Sequence, residues 1–142
     1  MARWLSCALW ATALVLLGDV PAAHAQRAAT VTYDVTFEEV TNNCPSQSMS
    51  LDRGTVRIRA EAGKQVAVDI ANAPTMKGTR GRGGKFKAEA RGAAALEGAT
   101  GKYSVAGRAN EAEIQILFIV ELYRGKKPLC TQSWSATGKR KK

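Results

Sequence analysis

The chain has 142 residues and a formal net charge of +9 at pH 7, which is enough sequence for one domain and too little for two. Its only histidine, His24, lies in a segment that reads as a removable leader. Without that leader the chain has no imidazole, which excludes Ser-His-Asp and Cys-His hydrolysis, histidine-containing zinc sites and a histidine-based pH switch.

Residues 1–25 have the three parts of a secretory signal peptide. Arg3 supplies the positive charge, an apolar run covers residues 4–18, and the A-x-A sequence at 23–25 offers the small side chains that signal peptidase requires. The apolar run is shorter than the ~20 residues that cross a bilayer, which disfavours an uncleaved anchor. The sequence therefore predicts an exported protein, periplasmic or extracellular, that begins at Gln26 and has no transmembrane segment.

Alternation of apolar and polar residues dominates residues 26–138 and predicts one β domain. A short glycine-containing connection at 61–64 predicts a hairpin. Residues 114–122 are apolar on nearly both faces, so this strand is expected to be central and covered on both sides. Residues 139–142 are expected to form a basic, disordered tail. Seven strands are expected, at residues 31–38, 56–60, 66–70, 86–90, 103–106, 114–122 and 130–134.

Two cysteines, Cys44 and Cys130, remain after removal of the leader. An even count in an oxidising compartment predicts a disulfide, and two free buried thiols are the alternative. Cys44 follows the first strand and Cys130 opens the last, so these strands are expected to be antiparallel neighbours.

That arrangement requires an even number of strands in a simple meander. A short eighth strand at 93–99 would supply it, although the alanines there also allow a helix of at most two turns. The favoured fold is an all-β, small antiparallel meander barrel of about eight strands with one disulfide. A two-sheet β-sandwich is the alternative.

Residues 77–87 form the most unusual segment, with five positive charges, four glycines and no acidic residue. They match neither a P-loop nor a dinucleotide fingerprint, because Thr79 and Phe86 stand where those motifs need glycine or a hydroxyl side chain. A flexible basic loop that lies along a polyanion is the functional interpretation, since arginine pairs bidentately with phosphate and sulfate oxygens. For the segment taken alone, the favoured interpretation is a solvated hairpin loop whose charges only keep the protein soluble. The candidate anion-binding residues are Lys77, Arg80, Arg82, Lys85 and Lys87.

Other candidate chemistry is weaker. The carboxylate pairs Glu38–Glu39 and Glu111–Glu113 are expected to face water, where neither would serve as the buried acid of a glycosidase. Trp134 is expected to pack beside the disulfide. If the barrel is hollow, an apolar ligand would instead contact Val35, Val68, Ile116 and Trp134.

The sequence thus favours an exported, non-enzymatic β domain that associates with anionic lipid, polysaccharide or nucleic acid through its basic segment. No catalytic residue, metal ligand or cofactor is assigned. The alternatives are a carrier of a small apolar ligand inside the barrel, a structural envelope protein, and an enzyme that uses only carboxylates, lysines or hydroxyl groups.

Overall fold

The computed structural model describes residues 29–44 and 49–142, so the signal peptide predicted at 1–25 lies outside the described residues. Eight strands pair antiparallel in sequence order, and β1 closes on β8 to form a barrel. The predicted all-β meander barrel is confirmed, and the sandwich is not formed. The strands are β1 Thr30–Asn42, β2 Arg53–Ala60, β3 Gln65–Ile70, β4 Met76–Arg80, β5 Lys85–Ala93, β6 Thr100–Ala109, β7 Glu113–Arg124 and β8 Lys127–Arg140.

The eighth strand is not the one expected from the sequence. Residues 94–99 connect β5 to β6 without regular structure, and the additional strand is β4, which pairs with β3 and β5. The basic segment 77–87 is therefore a β-hairpin whose connection contains a short 3₁₀ turn, Arg82–Gly84. Strand β4 cannot be recognised from the sequence, because it contains glycine and charged residues, which are depleted in strands.

The meander gives the barrel two chemically different ends. At one end lie the connections 61–64, 81–84 and 110–112, together with the last residues of the chain. We call this the basic end. At the other, the disulfide end, lie the connections 71–75, 94–99 and 125–126, and the segment between β1 and β2.

The centre of the barrel is filled by side chains. Phe118 and Trp134 stack with ring centroids 5.7 Å apart, and both are at most 1% exposed. Of the four residues expected to line a central cavity, Val68 is 0% exposed, and Val35 and Ile116 are also buried. A ligand-sized void beside these side chains would leave them accessible, so the central cavity expected for an apolar carrier is not formed among the described residues.

The inward faces of the even-numbered strands carry glycines that allow close backbone approach. An added Cβ at Gly78, Gly107 or Gly138 would collide with the carbonyl oxygen of Lys87, Gln115 or Asp34, respectively. Glycine at such positions lets a strand bend sharply and bring its neighbour close, as closure of a small barrel requires.

Strand β7 differs from expectation in one respect. Its inward residues are buried, but Leu117 on the outer face is 42% exposed. A barrel wall is one sheet thick, so the strand is covered on one side only, and the prediction of double coverage is wrong.

At the disulfide end, Cys44 and Cys130 form the predicted disulfide. Gln132, only 3% exposed, joins the same region. The Met49 N–H donates to Gln132 Oε1 at 2.9 Å, and Gln132 Nε2 donates to the Met49 carbonyl at 3.1 Å. The segment between β1 and β2 is thus attached to β8 at both of its described edges.

The predicted disordered tail at 139–142 is wrong for its first half. Lys139 and Arg140 belong to β8 and pair with Asp34 and Tyr33, and the Lys141 N–H donates to the Thr32 carbonyl at 2.8 Å. Closure of the barrel through β1 and β8 gives these backbone groups partners that the sequence pattern does not reveal.

Candidate anion-binding site at the basic end

Arg80 ends strand β4 at the mouth of the barrel. It pairs with the inward-facing Phe86 of β5, and its Nη2 donates to the carbonyl of Gly63 at 3.3 Å. The side chain therefore reaches from the β4–β5 hairpin to the β2–β3 connection. Arg82 lies in the 3₁₀ turn immediately beyond and is exposed.

Lys64 is a third cation at this mouth, and the sequence analysis did not single it out. It lies in the β2–β3 connection, and its carbonyl accepts a hydrogen bond from the Arg80 N–H at 2.9 Å. In a meander, alternate connections lie at the same end, so correct assignment of β4 would have placed Lys64 beside the basic hairpin.

These cations stand at the rim of an apolar recess of about 670 Å³. Lys64, Arg80 and Arg82 all contribute to its lining. Cationic groups next to accessible apolar surface favour ligands that carry both a negative charge and a nonpolar part. The apolar lining consists mainly of Val31, Ile58, Ala60, Val66, Phe86 and Ala109.

Tyr33 lies at the inner side of this recess and is 3% exposed. Its hydroxyl donates to the Asn110 carbonyl at 2.7 Å. Burial raises the pKa of Tyr33 above its ordinary value of 10.0, and the nearby positive charge of Arg140 opposes that rise. The phenol is therefore neutral at physiological pH and adds no negative charge beneath the rim.

The other predicted anion-binding residues lie on the outer wall. Lys77 is opposite Glu89 in the register, whereas Lys85 is opposite another cation, Arg108. Lys85, Lys87 and Arg108 border an outer groove of about 740 Å³ that also contains Leu117. The five candidates thus divide between the mouth, the outer groove and the Lys77–Glu89 position, with Arg80 lining both the mouth and the groove.

The cations of the mouth and of the outer groove have no acidic partner among the described residues. Three ion pairs join the described residues, Arg59–Glu61 at 3.9 Å, Lys102–Glu121 at 3.6 Å and Asp34–Lys141 at 4.0 Å. Within residues 29–44 and 49–142, none of these pairs includes the cations of the mouth or of the outer groove. Their positive charge is therefore available to an external anion.

The recess at the disulfide end provides a contrast. It is similar in size, about 610 Å³, and includes Met49, Tyr103 and Gln132. None of the described residues that line it carries a charge. Charge, more than recess volume, distinguishes the two ends.

The carboxylate pairs are far apart in the barrel. Glu38 and Glu39 are exposed near the disulfide end of β1, whereas Glu111 and Glu113 are exposed at the basic end.

Among the described residues, no group of three or more histidine, cysteine, aspartate or glutamate side chains is placed to hold a metal ion. The same part of the chain contains no helix long and apolar enough to cross a membrane.

The fold and the site define the protein as a closed eight-stranded antiparallel β-barrel with one disulfide, whose cationic mouth lies opposite the disulfide. Comparisons of the chain with protein-family models, with curated proteins and with solved structures found no match.

Proposed function

We propose that this protein is an exported, non-catalytic binding domain that attaches to anionic surfaces or polymers by the basic end of its barrel. The proposal is based on the convergence of cations from distant segments at one end of the barrel. The β2–β3 connection, the β4–β5 hairpin and the end of the chain are far apart in sequence, yet the meander brings their cations to one end. The cations concerned are Lys64, Arg80, Arg82, Lys85, Arg108 and the final Lys139–Lys142.

The arrangement has an electrostatic cost that an anion would relieve. Lys85 and Arg108 are directly opposite each other in the register, and like charges in that position destabilise a sheet. A phosphate or sulfate group bound between them would replace repulsion with two charge-assisted hydrogen bonds. The disulfide between Cys44 and Cys130 supports action in an oxidising compartment outside the cytosol.

The test compares two triple variants that remove the same amount of charge. One is Arg80→Gln, Arg82→Gln and Lys85→Gln at the basic end. The other is Arg124→Gln, Lys126→Gln and Lys127→Gln at the disulfide end. Binding of residues 26–142 to anionic vesicles and to duplex DNA is measured at low and moderate salt. We expect the first variant to lose about tenfold or more in affinity and the second to lose much less, because only the first removes direct contacts with the anion.

Equal losses in the two variants would show that net charge alone attracts the anion, and would contradict a defined binding end. Absence of binding by the unmodified chain even at low salt would contradict the proposal altogether and reduce the basic residues to a role in solubility.

A further inference from the structure

We propose further that the preferred anion is an amphiphile, whose charged head is held by Lys64, Arg80 and Arg82 and whose hydrocarbon chain enters the adjoining recess. This inference rests on the proposed function and specifies its ligand. A surface that binds anions by charge alone needs exposed cations, but it does not need the apolar walls that adjoin them here.

The walls of the recess are accessible to water. Val31, Ile58 and Ala60 face the recess and are only half-buried, although the same strands bury their next inward residues almost completely, with Val56 at 0% exposure. Accessible apolar surface of this kind is stabilised when a hydrocarbon chain displaces the water from it.

The recess is shallow, which limits how much of a chain it can take. Its lining on β1 extends from Val31 to Tyr33, a distance of two residues or about 7 Å along the strand. Beneath it the core is closed, since Phe118 and Val56 are both 0% exposed. Only the first several carbons of a bound chain should therefore contribute to affinity.

The outer groove is the competing location. It has cations in Lys85, Lys87 and Arg108 and shares Arg80 with the mouth. It lies on the outside of the barrel wall, where Leu117 is its large exposed hydrophobic residue. Residues of β1 to β6 line the mouth around the opening of the barrel, whereas the residues of β4 to β8 that line the groove follow one stretch of the wall. We therefore assign the hydrocarbon chain to the mouth and use the groove as the control.

Calorimetric titration with a series of alkyl phosphates, from butyl to decyl, measures the contribution of the chain directly. Each ligand is kept below the concentration at which it forms micelles. We expect affinity to rise about fourfold for each added methylene in the shorter members, and then to level off when the chain meets Tyr33 and Phe86. Inorganic phosphate, which has no chain, should bind more weakly than every member of the series.

Two matched variants show where the hydrocarbon chain of the ligand binds. Ala60→Phe fills the recess from a half-buried rim position and should abolish the dependence on chain length, while salt-sensitive binding to duplex DNA persists. Ala106→Phe places the same side chain in the outer groove and should leave the dependence intact. The reverse pattern would place the chain in the groove and overturn the proposal.

The outcomes also separate this inference from the function on which it rests. Salt-sensitive binding to DNA with no dependence on alkyl length would retain the anion-binding function and overturn the proposal that the ligand is an amphiphile.

A second experiment compares phosphatidylglycerol vesicles with soluble alkyl phosphates. Saturating octyl phosphate should displace the protein from vesicles if both sources of the headgroup use the mouth, and failure to compete would contradict a shared site.

Discussion

At the scale of single residues, the barrel depends on glycines that face its interior. Gly107 lies opposite Ile116 of β7, and an added Cβ would collide with the backbone carbonyl of Gln115 as well as with Ile116 itself. The obstruction includes backbone, so the local structure cannot relieve it by rotating a flexible side chain.

Gly107→Ala should therefore lower the free energy of unfolding by about 1–3 kcal/mol, the usual cost of overpacking. Gly81→Ala is the matched control, because its nearest neighbours lie at 3.9 and 4.0 Å and it needs no positive φ. Urea denaturation followed by Trp134 fluorescence measures both variants. Equal midpoints for the two variants would contradict the close approach of β6 and β7.

Two buried tyrosines give the stability a dependence on alkaline pH. Burial raises the pKa of Tyr33 and of Tyr103 above 10.0, and their hydroxyls donate to the carbonyls of Asn110 and Ala93. The folded state therefore favours the neutral phenol more than the unfolded state does. The resulting stability is complete below the unfolded pKa of about 10 and is lost as the pH rises through the folded-state pKa.

We expect the free energy of unfolding to fall as the pH is raised above about 10. The double variant Tyr33→Phe and Tyr103→Phe should show a shallower fall over the same interval, because it has lost the two groups that ionise more readily when unfolded. Comparison of the two proteins cancels the titration of the lysines. Identical slopes would indicate that the buried phenols do not contribute.

At the scale of elements, the sequence predicts the strands whose inward residues are branched or aromatic, and it fails at β4. The inward positions of β4 include Met76 and Gly78, which carry little strand preference, and its remaining residues resemble a loop. The predicted number of strands was nevertheless correct, because the disulfide requires neighbouring antiparallel termini. The sequence pattern predicts the eighth strand at 93–99, whereas the structure has it at Met76–Arg80.

The misplaced eighth strand also limits which residues of the anion-binding site the sequence can identify. It identified Arg80 and Arg82, which stand out in a basic, glycine-rich segment. It could not join them to Lys64 or Arg108, because those contacts depend on which connections share an end of the barrel. The local sequence pattern shows that a segment is basic, whereas the order of the strands in the barrel determines which residues lie next to it.

The disulfide joins the segment after β1 to β8 and acts at one end only. It closes a loop across a sequence separation of 86 residues. Replacing both Cys44 and Cys130 by alanine should lower the free energy of unfolding by ~4–5 kcal/mol in the chain-entropy account. Below its new melting temperature, this variant should still bind anions, because the proposed anion-binding cations lie at the opposite end of the barrel. Loss of binding by the folded variant would contradict the independence of the two ends.

At the scale of the whole molecule, the important feature is how charge is distributed. Cations outnumber acidic residues at the basic end, where the acidic residues are Glu61, Glu111 and Glu113. At the disulfide end the cations are accompanied by more acidic residues, namely Glu38, Glu39, Asp52, Asp69, Glu97 and Glu121. A barrel with this asymmetry will orient itself as it approaches a negative surface, with its mouth toward the anions.

Hydrogen exchange with and without anionic vesicles tests this orientation most directly. We predict that binding slows exchange of the amides at 61–64 and 81–84 and leaves those at 71–75 and 125–126 unchanged. Moderate salt should abolish the protection, because it screens the attraction that holds the protein to the surface. Protection spread equally over both ends, or confined to the disulfide end, would contradict a binding surface at the cationic mouth.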